Sequence, residues 1–203
     1  MWLILIKLIK SFRTIFSVYR HPPDQGVIKL NFDGASCGNP GLSGIGVCLR
    51  NHLGIPLFIK YSHIPWGTSN NVEVLALLLG LVSALSMKIP QLQVEGDSLI
   101  IIQACISRQI QCRSLAYKLK QAWRLIDTFE NCFLNHTYRE GNKLVDYLSN
   151  LGCDGKELDS WDPTILVELY PNLLDIINKE TSLSWFVIWH PLGHHTVPCA
   201  SKF

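Results

Sequence analysis

Four acids in this 203-residue chain stand where their type is expensive. Asp33 follows Phe32, Glu73 lies between Val72 and Val74, Asp97 comes shortly after Val94, and Asp146 follows Val145. A carboxylate among apolar neighbours loses hydration unless a partner replaces it. Several of them around one point repel one another and raise each other's pKa. A divalent cation offsets both costs, and an all-oxygen ligand set favours Mg²⁺ or Mn²⁺ over zinc. Two such ions activate a water and stabilise the leaving oxygen of a phosphodiester. Each acid also has a plainer reading. Asp97 suits a helix N-cap, and Glu73 complements a helix dipole. Asp33-Gly34 suits a turn, and Asp146 a solvated surface. Spacing alone leaves both readings open.

The elements that carry these acids follow from hydrophobic periodicity. Val27–Asp33 alternates Ile28, Leu30 and Phe32 against Lys29 and Asn31, the mark of a strand. Ser43–Arg50 and Ile55–Tyr61 read as two more strands, joined by a turn at His52-Leu53-Gly54. Asn71–Met87 is Leu- and Ala-rich and long enough for a buried helix with Glu73 in its first turn. Leu92–Glu95 is a short strand after Pro90, and Asp97-Ser98 opens a helix through Ile106. Ser114–Phe129 spaces Leu115, Leu119, Ala122 and Ile126 as an amphipathic helix. Cys132–Tyr138 is a strand and Lys143–Leu151 a last helix. The order βββαβααβα predicts an α/β domain: an antiparallel meander, then parallel neighbours, in one mixed sheet with helices on its faces. In such a sheet, strand ends and helix starts gather at one edge. The four acids occupy those corners.

Composition bounds the partners. The chain is 48% hydrophobic and only 17% charged, with 18 Lys+Arg against 16 Asp+Glu. A net charge of +2 excludes a strongly basic, sequence-blind nucleic-acid coat but leaves room for a local basic groove. The seven cysteines, at 37, 48, 105, 112, 132, 153 and 199, form no CxxC pair. Buried free thiols in an intracellular, reducing compartment are the expectation; no segment marks a finer address.

The two ends differ from the middle. Residues 1–19 are apolar, with Lys7, Lys10 and Arg13 at a spacing that puts three cations on one helical stripe. The apolar stretch is too short to span a bilayer, which needs roughly 20 residues. A loosely packed extension is the first reading, and contact with a membrane surface the second. His21-Pro22-Pro23 breaks any helix. Three segments are expected: an extension over 1–21, a domain over 22–153 and a second extension over 154–203. The last holds His190, His194 and His195, read as adventitiously exposed.

Four stretches together resemble a known family. KLNFDGASCGNPGLSGIGVCLRNHLG (29–54), TSNNVEVLALLLGL (68–81), QVEGDSLIII (93–102) and HTYREGNKLVDYLSN (136–150) resemble the ribonuclease H domain in its plant, retrotransposon-derived form, which often follows a reverse transcriptase. The resemblance implies a ribonuclease H-like fold with a five-stranded mixed sheet in the order 3-2-1-4-5, flanked by helices. It implies cleavage of the RNA strand of RNA–DNA hybrids with two Mg²⁺ ions, Mn²⁺ serving as a substitute. By motif, Asp33, Glu73, Asp97 and Asp146 match the metal-binding catalytic carboxylates. Asn39 of the GNPG turn and Asn70 of the TSN stretch match residues that touch substrate near the minor groove, where RNA shows its 2′-hydroxyls.

Some features depart from the family pattern. The short HTYREGN link replaces a flexible loop that carries a histidine in one form of the family, so His136 is expected to end a strand. Arg139 and Glu140 are expected at the surface. Leu99 stands where bacterial relatives often have a glutamine. A basic protrusion is missing, leaving Arg108, Arg113, Lys118, Lys120 and Arg124 between helices. The resulting expectation is a monomeric, metal-dependent hybrid endonuclease with no obligate protein partner. The alternative is a nucleic-acid-binding module that has lost turnover.

Overall fold

The computed structural model describes residues 14–19, 21–156, 158, 173, 175–177, 184–190 and 193–197. In chain order its elements are β1 (Thr14–Tyr19), β2 (Ile28–Gly38), β3 (Gly41–Arg50), β4 (Pro56–Gly67), α1 (Ser69–Ser86), β5 (Gln91–Gly96), α2 (Leu99–Ser107), α3 (Ala116–Ile126), β6 (Asn131–His136), α4 (Lys143–Cys153), β7 (Ser184–His190) and β8 (Gly193–Val197). Short 3-10 turns lie at Arg113–Leu115 and Arg139–Gly141.

Five strands form the central sheet in the order β4-β3-β2-β5-β6. Counted within that sheet the order is 3-2-1-4-5, as the resemblance implies. β2 pairs antiparallel with β3, and β3 with β4, while β5 runs parallel to β2 and β6. The pleat of β2 divides its side chains between two faces. Leu30 and Phe32, both fully buried, join α1, α2 and α3 in the main core. Leu30 fits against Gly80 of α1, where a β-carbon would come within 2.5 Å of its methyl carbon. Lys29, Asn31 and Asp33 point to the opposite face. There α4 packs Leu144, Val145 and Leu148 on Cys48, Ile59 and Tyr61, a second core that also takes in Leu173. Leu158 closes a bridge to Tyr61, so the chain beyond Cys153 continues onto this face. By length and composition α1 would pass for a membrane span; its packing on the sheet accounts for that composition.

Several elements differ from the sequence-based expectation. The first strand runs to Gly38 rather than Asp33, because Ala35–Gly38 pairs with Gly41–Gly44 in a tight hairpin. Gly38 turns the chain at φ +94°, a region that favours glycine. The helix expected over 114–129 opens as a 3-10 turn and stops at Ile126. Glu73 lies past the first turn of α1, so the helix dipole does not explain it. Ser98, not Asp97, is the N-cap of α2.

The helical stripe expected over 1–19 does not continue through 14–19, which form a strand. Ile15, Phe16, Val18 and Tyr19 are types that favour strands. β1 pairs with β7, and β7 with β8, so the two chain ends form a three-stranded sheet of their own. Lys7, Lys10 and Arg13, and with them any membrane-facing stripe, lie outside the described residues. His190 ends β7, and His194 and His195 lie on β8. The six cysteines among the described residues are free; Cys48, Cys105 and Cys153 are buried and Cys37 is exposed. Cys199 lies outside them.

Candidate active site

Asp33 stands in the middle strand, 5% exposed. The residue after it sets the distance to α1. A β-carbon on Gly34 would lie 2.5 Å from the backbone nitrogen of Glu73 and from the carbonyl carbon of Val72. Only the bare glycine lets the helix come close enough to bring Glu73 to Asp33. Asp97 enters from the end of β5, where a β-carbon on Gly96 would come within 2.4 Å of the tip of the Phe32 ring. Asp33, Glu73 and Asp97 each place an oxygen within 4.8 Å of the others.

Asp146 stands beside this group rather than in it. Its Oδ1 accepts from Arg139 Nε at 2.9 Å and Nη2 at 2.5 Å. Arg139 was expected to be a surface residue; it is exposed, but it ties up the fourth acid. Helix α4 reaches the site because Gly44 and Gly46 of β3 have no side chains. A β-carbon on Gly44 would lie 2.1 Å from the Ser149 carbonyl oxygen, and one on Gly46 2.7 Å from that of Val145. The Ser149 hydroxyl bonds Asp33 Oδ2 at 2.5 Å and the Asp146 carbonyl at 2.9 Å. Asn142, at the N-cap of α4, donates from Nδ2 to the Phe32 carbonyl at 2.9 Å.

Electrostatics mark the cluster as incomplete. Burial, then the Asp97 carboxylate, pushes Asp33 up to about 7, against the bond from Ser149. Burial first and Asp33 second hold Glu73 well above the usual carboxylate range. Burial also raises Asp97. Two buried oxygens, Glu73 Oε2 and Asp97 Oδ1, have no hydrogen-bond partner. An orphaned buried acceptor costs about 1–3 kcal/mol, more when charged. Converging hard oxygens without donors are what a divalent cation requires, so the residues present fit a metal ion.

Asn39 lies exposed in the β2–β3 turn, and its Oδ1 accepts from the Ser69 backbone N–H at 3.1 Å. Thr68, the N-cap of α1, makes no side-chain capping bond, so Asn39 supplies the cap from another part of the chain. Asn70 is exposed in the first turn of the same helix. His136 ends β6 as expected, and its Nε2 bonds the Asp97 backbone carbonyl at 3.1 Å. Glu140 lies in the 3-10 turn beside Arg139, and Leu99 is 48% exposed at the start of α2. Arg108 bonds Asp127 and lies 5.8 Å from the centre of the Trp123 ring.

Ser149 and Asn142 were missed in the sequence. A signal existed: they lie three residues after and four before Asp146, which puts all three on one helix face.

A family model described as reverse transcriptase-like matches residues 31–152. Over 134 residues the chain is 30% identical to ribonuclease HI of Halobacterium salinarum, covering 65% of this chain and 67% of that protein. The chain belongs to the ribonuclease H family. Its ribonuclease H domain is also 30% identical, over 128 residues and 63% of the chain, to an Arabidopsis thaliana protein named for ribonuclease H. The chain spans only 21% of that plant protein's length. The crystal structure of LC11-RNase H1 in complex with RNA/DNA hybrid superposes with a TM-score of 0.59 at 27% identity, covering 63% of this chain and 96% of that one.

Proposed function

We propose that this chain is a metal-dependent endonuclease that cleaves the RNA strand of RNA–DNA hybrids. The observation that carries the reading is the convergence of three carboxylates, that of Asp33 buried and those of Glu73 and Asp97 half-buried, with two buried oxygens left without donors. A structural cluster would place N–H or O–H groups there. The reading takes its substrate from the relatives, one of which is seen with a hybrid bound.

Asp33, Glu73 and Asp97 would hold the metal, with Mg²⁺ the expected ion and Mn²⁺ a substitute. Asp146 would complete the set once Arg139 lets go of it. Two such ions, when bound, supply an activated water and a stabilised leaving oxygen at the scissile phosphate. Arg139, released from Asp146, lies close enough to the cluster to meet a phosphate oxygen as a charge-assisted donor. Asn39 and Asn70 sit together at the start of α1, on the exposed side of the hairpin turn. There their amides can read a minor groove that displays 2′-hydroxyls. Cations between the helices are few, so affinity for phosphates is expected to be modest. The catalytic unit is residues 22–153, working as a monomer; of the segment 154–203, Leu158 and Leu173 pack onto it.

The test is a substrate panel with the full chain and Mg²⁺: an RNA–DNA hybrid, a DNA duplex and single-stranded RNA of one sequence. Cleavage of the RNA strand in the hybrid alone is expected. Hybrid binding without cleavage would overturn the enzymatic reading and leave a binding module.

A further inference from the structure

We infer that Ser149 is a positioning residue for Asp33, holding one carboxylate oxygen so that the acid meets the metal in a fixed orientation. The inference rests on the metal-dependent reading above.

The hydroxyl sits in a fully buried position and approaches Asp33 Oδ2 to 2.5 Å, the short contact of a charge-assisted bond. Its single proton faces two acceptors, Asp33 Oδ2 and the Asp146 carbonyl 2.9 Å away in the same helix, and the carboxylate is the nearer. The backbone of Ser149 is flush against Gly44, which fixes the distance of α4 from the sheet. Seven residues earlier on the same face, Asn142 bonds the carbonyl of Phe32. Helix α4 is therefore stapled to two successive residues of β2, Phe32 and Asp33. Asp146 lies between the two staples.

A carboxylate with two free oxygens can rotate toward Asp97 or Glu73 and lose its ligand geometry. A donor on one oxygen removes that freedom before any ion arrives. Donors of this kind, which orient a ligand without touching the metal, typically contribute 10–100-fold in affinity or activity. Serine suits the position: its hydroxyl is the smallest donor that reaches the carboxylate without filling the space against β3.

The test is calorimetric titration of the full chain with Mn²⁺, comparing wild type with Ser149→Ala and Ser149→Cys. Cysteine keeps the volume and offers only a weak donor, so it decides the matter if the alanine variant does not fold. About 10-fold weaker Mn²⁺ binding is expected for both. Cleavage lost at low Mg²⁺ should return at high Mg²⁺, with KM for the hybrid unchanged. In an Asp33→Asn background, Ser149→Ala should cause no further loss of Mn²⁺ affinity. Mn²⁺ affinity within twofold of wild type in both variants would overturn the inference, whatever happens to the melting temperature. A wild type that binds Mn²⁺ but leaves the hybrid intact would instead overturn the proposed function, and the comparison of affinities would still stand.

Discussion

The guanidinium of Arg139 lies on the carboxylate of Asp146, with both Nε and Nη2 directed at the same oxygen. Arg139 is 71% exposed and Asp146 28%. An ion pair in that much water is worth about 1 kcal/mol at most. It neutralises the fourth acid cheaply and yields it cheaply to a metal. Arg139→Ala is therefore expected to change stability by less than about 1 kcal/mol. The Mg²⁺ concentration for half-maximal cleavage should fall by up to about fivefold, which is the same free energy. A Mg²⁺ titration at saturating hybrid measures it; an unchanged or higher midpoint would show that the pair does not compete with the ion.

Asp33 makes stability depend on pH in a defined direction. Its folded pKa is raised from 3.8 to about 7, by burial above all. Between these values the folded chain keeps a proton that the unfolded chain has lost. Stability from this group is complete below the unfolded pKa and is lost as pH rises through about 7. Without metal, the melting temperature should fall from pH 5 to pH 8 more steeply in wild type than in Asp33→Asn. Saturating Mg²⁺ should flatten the wild-type curve. Calorimetric scans with and without the ion check both.

Gly34→Ala tests the close approach of α1. The new β-carbon would meet backbone on α1 at 2.5 Å, and backbone cannot rotate aside as a side chain can. A loss of about 1–3 kcal/mol is expected. Glu73 should be displaced, so cleavage should fall even at temperatures where the variant stays folded. A denaturant melt paired with a rate measurement separates the two effects.

Asn39 and Asn70 should part company when mutated. Asn39→Ala removes a helix cap, at about 1 kcal/mol of stability, and raises KM for the hybrid. Asn70→Ala should raise KM alone. Neither should lower kcat more than a few-fold, because neither lies among the metal-binding carboxylates. Steady-state kinetics on one hybrid, with melts of both variants, provide the check.

Much of the architecture was legible in advance, for reasons visible in particular residues. β2 announces itself because Leu30 and Phe32 alternate with Lys29 and Asn31 across a sheet with two covered faces. The acids stand out because the chain has so few charges. The hairpin extension to Gly38 was hidden, since Ala35–Gly38 pairs through backbone and carries no apolar alternation. Residues 14–19 misled because cations three apart satisfy a helix while the β-branched and aromatic residues beside them suit a strand. The Arg139–Asp146 pair was hidden too: Arg139 lies in the 3-10 turn before α4, so no single helical periodicity relates it to Asp146. Leu173 belongs to the second core, but its contacts are long-range and leave no local pattern.

The central claim is that Asp33, Glu73 and Asp97 form a metal centre that cuts RNA paired to DNA. The most direct measurement is a cleavage time course on a hybrid labelled in its RNA strand, with wild type and Asp33→Asn side by side in Mg²⁺. The account predicts internal cleavage by wild type, its abolition by chelation, and a loss of at least about a hundredfold in the variant. An intact hybrid with folded wild type, or equal cleavage by both proteins, would contradict it.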